Sequence, residues 1–189
     1  MRPLVRNLSA FGIDCTAVFG EPPLKLFNIM TLDEYIEVWL SNGRGPVFCQ
    51  LDAKPGGQLV VQGALCDRLV HTISGTIVHY SYPMCLVISC HERSLPSDVQ
   101  RIAVTLRRLG DVTQLRVTHF GLRDITEYKV VERFWRRAIY RMALLLQSGN
   151  PKLPNLSFQP IWLNTARRLE RPWIPHAMSL ESTIYTRGA

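Results

Sequence analysis

Four of the five histidines (His71, His79, His91 and His119) and all five cysteines (Cys15, Cys49, Cys66, Cys85 and Cys90) are the first residues of this 189-residue chain to test for chemistry. The histidines fit no helical H-E-x-x-H spacing. His71 and His79 share strand parity but stand about 27 Å apart along an extended strand, too far to hold one metal. His119 closes the penultimate element. A satisfied structural histidine is the favoured reading there, and a position at a cavity mouth is the other. The cysteines are odd in number and form no C-x-x-C pair, which argues against a zinc site and a secreted disulfide framework. Most lie in apolar strand-like runs, where a thiol behaves as a small hydrophobe. Gly56-Gly57 lacks the Lys-Ser/Thr and the strand–loop–helix setting of a phosphate loop. It reads instead as a hairpin turn that uses positive φ. Asp33, Glu34 and Glu37 are expected to face solvent from one helix. No nucleophile elbow frames a serine or cysteine. The expectation is therefore no catalytic set, no metal and no cofactor.

Side chains that do no chemistry can still bind, so the elements that would position them come next. Residues 6–19 read as a strand, with Ile13 and Cys15 on one face. Pro22-Pro23 opens a short helix, because proline fits a first helical turn. Thr31 reads as the N-cap of a second helix, with Glu34 completing a capping box. That helix carries Leu32, Tyr35, Ile36 and Trp39 at helical spacing and stops near Ser41-Asn42-Gly43. Then the period falls to two. Strands are expected over 47–51, 59–61, about 68–82 and 84–90, with a turn at 54–57. Pro83 ends the third of them. Residues 91–98 read as a polar loop. Two further strands alternate cleanly across the Gly110-Asp111 turn, implying an antiparallel meander. The strongest element runs from Ile125 to Gln147. Tyr128, Val131, Trp135, Ile139, Met142 and Leu146 form one stripe, opposite Lys129, Arg133, Arg136, Arg137 and Arg141. Gly149 and Pro151 supply its stop. Residues 150–189 are broken by Pro151, Pro154, Pro160, Pro172 and Pro175. Trp162 and Trp173 suggest a tail that partly docks, and 164–169 reads as one short helix.

Composition excludes some classes. No apolar run is long enough to span a bilayer, and no h-region follows the basic start, so a cytoplasmic location is expected. The net charge is +7, split as −2 over residues 1–100 and +9 over 101–189. An acidic protein partner is one reading of that asymmetry, and a solvated basic face is the plainer one. Aromatics do not interleave with the basic residues of the last helix, which argues against nucleic acid.

Several local patterns together resemble a known family. Pro22-Pro23, Phe27, Thr31 and Trp39 look like the opening of the family related to the C-terminal domain of the activator of heat-shock protein 90 ATPase, within the START-like (SRPBCC) superfamily. Pro55-Gly56-Gly57 matches its turn after the second strand. The stretches 75–83 and 112–121 are similar to two later signatures, and Trp135 matches an early tryptophan of its final helix. The match covers about residues 8–148. It implies an α+β helix-grip (START-like) fold: a curved antiparallel β-sheet around a long C-terminal helix, with two short helices after the first strand. The domain is expected at 1–149, and the proline-rich tail at 150–189.

A curved sheet is not filled by one helix stripe, so a gap is expected between the sheet and the last helix. Its lining is expected from Phe27, Trp39, Phe48, Tyr80, Leu115, Val117, His119, Trp135 and Met142. Arg101, Arg107 or Arg116 could meet an anionic group if its parity faces inward. The leading expectation is a protein that binds an apolar or amphipathic small molecule there. Two others stand beside it. One, implied by the resemblance, is a chaperone-activator-like module for an acidic partner in a stress response. The other is an enzyme of the polyketide cyclase or aromatase type.

Overall fold

The structure, a computed structural model, describes residues 11–41, 47–63, 71–92, 95–146 and 156–162, the side chains at 71, 91–98, 156 and 158–162 excepted. Cys66, the histidine side chains at 71 and 91, the stop at Gly149 and Pro151, and residues 163–189 lie outside the described residues.

Strand β1 (Phe11–Phe19) leads into helices α1 (Pro23–Thr31) and α2 (Asp33–Leu40). Strands β2 (Val47–Leu51), β3 (Gln58–Gly63), β4 (His71–Ser81), β5 (Cys85–Glu92), β6 (Leu95–Leu109) and β7 (Val112–Leu122) follow. Helix α3 (Ile125–Leu146) and strand β8 (Leu156–Trp162) complete the described fold. The eight strands form one curved sheet in the order β2-β3-β4-β5-β6-β7-β1-β8, antiparallel throughout. This is the architecture expected from the sequence.

Three local features differ from that expectation. Thr31 does not cap α2. It is the last residue of α1, and its hydroxyl donates to the Phe27 carbonyl at 2.8 Å. Leu32 stands at the junction with extended backbone and no side-chain cap, so the capping box with Glu34 does not form. Within the stretch expected as a polar loop, 91–92 and 95–98 are strand, because β5 runs to Glu92 and β6 begins at Leu95, where the two pair across a register shift. Pro160, expected to break structure, lies inside β8, with its Cα opposite Ile13. β8 is the outer strand of the sheet, where proline's missing N–H need not interrupt a ladder.

Glycine matters at two points. Gly56 takes φ +75 in the β2–β3 turn, and a Cβ on Gly57 would meet the Asp52 carbonyl oxygen at 1.8 Å. Gly121, at φ +92, is the unpaired residue where the β1–β7 register shifts between Phe11 and Gly12. That bulge returns Leu122 to the inner face, where it is fully buried.

Helix α3 is amphipathic, as its period requires. Tyr128, Val131, Trp135, Ile139, Met142 and Leu146 are buried, while Lys129, Arg133, Arg136 and Arg137 are exposed. It packs on β1, β7 and β8, whereas α2 packs on β2 and along α3. The helices therefore weight the two ends of the sheet, and strands β3 to β6 between them carry less cover. No described helix is long and apolar enough to cross a membrane.

Candidate functional site

Pairing decides which side chains reach the uncovered centre of the sheet. The register places Leu51 beside Leu59, Val61 beside Ile73, Leu86 beside Val104 and Ile88 beside Ile102. These residues share the inner face. They wall a cavity of about 290 Å³, closed on the other side by Met30 of α1, Ile36, Trp39 and Leu40 of α2, and Val130, Phe134 and Trp135 of α3. Trp39 and Trp135 stack with centroids 6.4 Å apart. Each indole N–H is satisfied, Trp39 donating to the Ile29 carbonyl at 2.9 Å and Trp135 to His119 Nδ1 at 3.3 Å. Cys90 also lines the space, and burial pushes its thiol up to about 12, so it stays protonated and apolar.

The polar lining comes from Gln100, His119 and the start of α3, namely Arg123, Asp124, Thr126 and Glu127. Arg123, Asp124 and Thr126 are exposed, which places an opening at this end. Asp124 caps α3, its Oδ1 accepting from the backbone N–H groups of Thr126 and Glu127 at 2.8 and 2.9 Å. From there a hydrogen-bond chain runs inward. Glu127 Oε2 accepts from the Arg123 backbone N–H at 2.6 Å and from Arg123 Nε at 3.2 Å. Gln100 Nε2 donates to Glu127 Oε1 at 3.2 Å, and His119 Nε2 lies 2.9 Å from Gln100 Oε1.

The direction of every bond in this chain follows from its ends. An indole N–H only donates, so His119 Nδ1 must accept. A neutral ring then carries its proton on Nε2 and donates to the Gln100 oxygen. The Gln100 amide nitrogen is left to face Glu127, which as a carboxylate only accepts. Burial holds His119 in that neutral form and lowers its pKa to about 4.

The residues expected at the cavity separate into groups. Trp39, His119 and Trp135 line it. Leu115, Val117 and Met142 are fully buried on the inner side but do not, because α3 packs over that end of the sheet. Phe27 is buried away from the cavity, where it packs edge-on against Tyr80 and Tyr82 at 5.7 and 5.4 Å. Phe48 is 52% exposed, because Val47, Cys49 and Leu51 take the inward parity of β2. The arginines also face outward: Arg101, Arg107 and Arg116 alternate with the inward Gln100, Leu106 and Leu115. Arg116 pairs with Asp14 on that outer face. Asp33 and Glu37 do more than face solvent. Their carboxylates accept from the backbone N–H groups of Leu51 and Cys49 at 2.9 and 3.1 Å, tying α2 to the edge strand β2.

Sequence reasoning missed Gln100 and Glu127. Gln100 shares the period-two face of Ile102 and Val104, and that parity was the available signal. Among the described residues no cluster of three or more histidine, cysteine or acidic residues could hold a metal.

A family model described as Activator of Hsp90 ATPase homolog 1-like protein matches residues 21–147. The chain belongs to that family. The activator of Hsp90 ATPase homolog 1-like model thus spans everything from α1 to the end of α3, including the whole cavity. Solved structures agree on the fold. Protein CV1439 from Chromobacterium violaceum superposes with a TM-score of 0.64 at 17% identity, over 73% of this chain and 98% of that one. An HSP90 activator from Plasmodium falciparum gives 0.57 at 19% identity, over 72% and 96%. CalU16 from Micromonospora echinospora gives 0.55 at 20% identity, over 72% and 76%. No curated protein matches the chain by sequence.

Proposed function

We propose that this protein binds an apolar or amphipathic small molecule in the cavity between the sheet and helices α2 and α3. The observation that carries this reading is an apolar chamber of about 290 Å³ with its polar groups gathered at one end. A dry cavity of about 150 Å³ accommodates benzene. Roughly twice that volume suits two fused rings or a medium-length alkyl chain. Trp39 and Trp135 would grip the apolar body, and His119 belongs to the polar end. An enzyme of the polyketide cyclase type would also build on such a cluster. Here both ring nitrogens of His119 are already engaged, so binding is the function we infer.

The test is titration with an apolar fluorophore. One site per chain and saturable enhancement are expected, and Leu59→Trp, which fills the cavity from β3, should abolish it while circular dichroism stays unchanged. Binding that does not saturate, or that survives Leu59→Trp, would overturn the proposal.

A second reading is an interaction module for an acidic protein surface such as that of a chaperone. It is supported by the exposed basic row of α3 and by the similarity in fold to a protein described as an HSP90 activator.

A further inference from the structure

We infer that residues 163–189, which lie outside the described residues, cross the outer face of β5, β6 and β7 as a third layer of the fold. An antiparallel sheet packed on one side commonly keeps polar side chains in water on the other. Here the outer face holds buried apolar side chains. The register sets Val87 beside Ala103 and Ala103 beside Thr118, with Cys85 two residues along β5 and Phe120 two along β7. Cys85 and Val87 are fully buried, and Ala103, Thr118 and Phe120 are at most 5% exposed. Cys85, Val87 and Ala103 form a second core, separate from the one under the helices. Arg101, on the same outer face, has its Nη1 enclosed, and burial lowers its pKa. Among the described residues no helix or strand lies on this side, since α1, α2 and α3 all build the inner core. The cover must come from the rest of the chain.

Position and length select the C-terminal segment. Strand β8 ends at Trp162, opposite Phe11 and next to the row that holds Gly12, Phe120 and Arg101. From there to Cys85 is four strand spacings across and five residues along, about 25 Å. The 27 residues of 163–189 reach up to about 90 Å when extended. Roughly eight of them span the distance, and the rest are free to spread over three strands. Trp173, Ile174, Met178, Leu180, Ile184 and Tyr185 supply the apolar surface. The N-terminal segment meets the sheet at the same end, but its residues 6–10 read as a continuation of β1, which leaves only Met1 to Val5. The internal stretches outside the described residues hold nine residues or fewer and are tied at both ends. A layer here backs the cavity, because Val87 and Ala103 alternate with Leu86, Ile88, Ile102 and Val104 of its wall. The inference stands whether or not the cavity binds a ligand.

Nuclear Overhauser effects on the full chain test it. The methyls of Val87 and Ala103 should give cross-peaks to protons of residues 163–189. Cross-peaks to residues 1–10 or to an internal stretch instead, or none beyond β4 to β7, would overturn the inference. Alkylation with N-ethylmaleimide, mapped by mass spectrometry, gives a second readout. Cys85 on the outer face and Cys90 on the inner face should both react slowly in wild type. Ala103→Lys, which puts a charge beneath the layer, should speed Cys85 at least tenfold and leave Cys90 protected. Cys85 as slow as in wild type would contradict a layer held by this apolar patch. If both thiols react fast the variant has lost its fold, and the wild-type cross-peaks decide.

Discussion

His119 is the residue on which the polar end of the cavity turns. It is buried, it bridges Trp135 and Gln100, and its pKa falls to about 4 because burial penalises the charged ring. The consequence for stability has a definite sign. Above about pH 6.5 the ring is neutral in both folded and unfolded chains, so its contribution is constant. Between 6.5 and 4 the unfolded chain binds a proton that the folded chain refuses, and stability falls as pH falls. Below about 4 both forms are protonated and the loss levels off. A shift of this size corresponds to a loss on the order of 3 kcal/mol. Urea unfolding of wild type and His119→Gln at several pH values isolates the effect, since carboxylates titrate in both. The difference in stability between the two proteins should change across pH 6.5 to 4. Parallel curves through that window would contradict a buried neutral histidine.

At the scale of elements, what could be read in the sequence followed periodicity. The six-residue stripe of α3 and the alternation of β6 and β7 come directly from 3.6-residue and two-residue spacing, and both elements form. Features set by partners distant in sequence were harder to see. Phe48 is as apolar as its neighbours, and only the β2 register shows it facing out. Thr31 and Glu34 have capping-box spacing, yet α1 continues one residue further and takes Thr31 as its own. Pro160 looks like a breaker until β1 is seen to offer an outer edge. The cavity had the same limit. That a gap would exist follows from geometry, but its wall depends on α3 lying over β1 and β7, which moves Leu115, Val117 and Met142 into solid core. The opposite face of α3 carries the prediction that belongs here. If it docks on an acidic partner, Lys129→Glu with Arg133→Glu should abolish capture of a purified chaperone, and wild-type capture should weaken as salt rises. Capture that ignores both changes would exclude this face as the contact.

At the scale of the whole molecule, the chamber exists because few described helices cover a broad sheet. Eight strands present one inner face, with α2 at one end and α3 at the other. The centre keeps a chamber because Leu59, Ile73, Ile88 and Val104 meet no helix side chain long enough to fill it. A ligand that binds only the folded chain adds stability by mass action, about 2.7 kcal/mol at a hundred times its dissociation constant. Location is the sharper criterion. The decisive measurement is methyl NMR of the full chain titrated with 1-decanol. Saturable shifts are predicted for Leu59, Ile73, Ile88 and Val104, with little change at the outward Val78 and Val99. Shifts confined to those outward methyls, or none at all, would contradict a ligand chamber between sheet and helices.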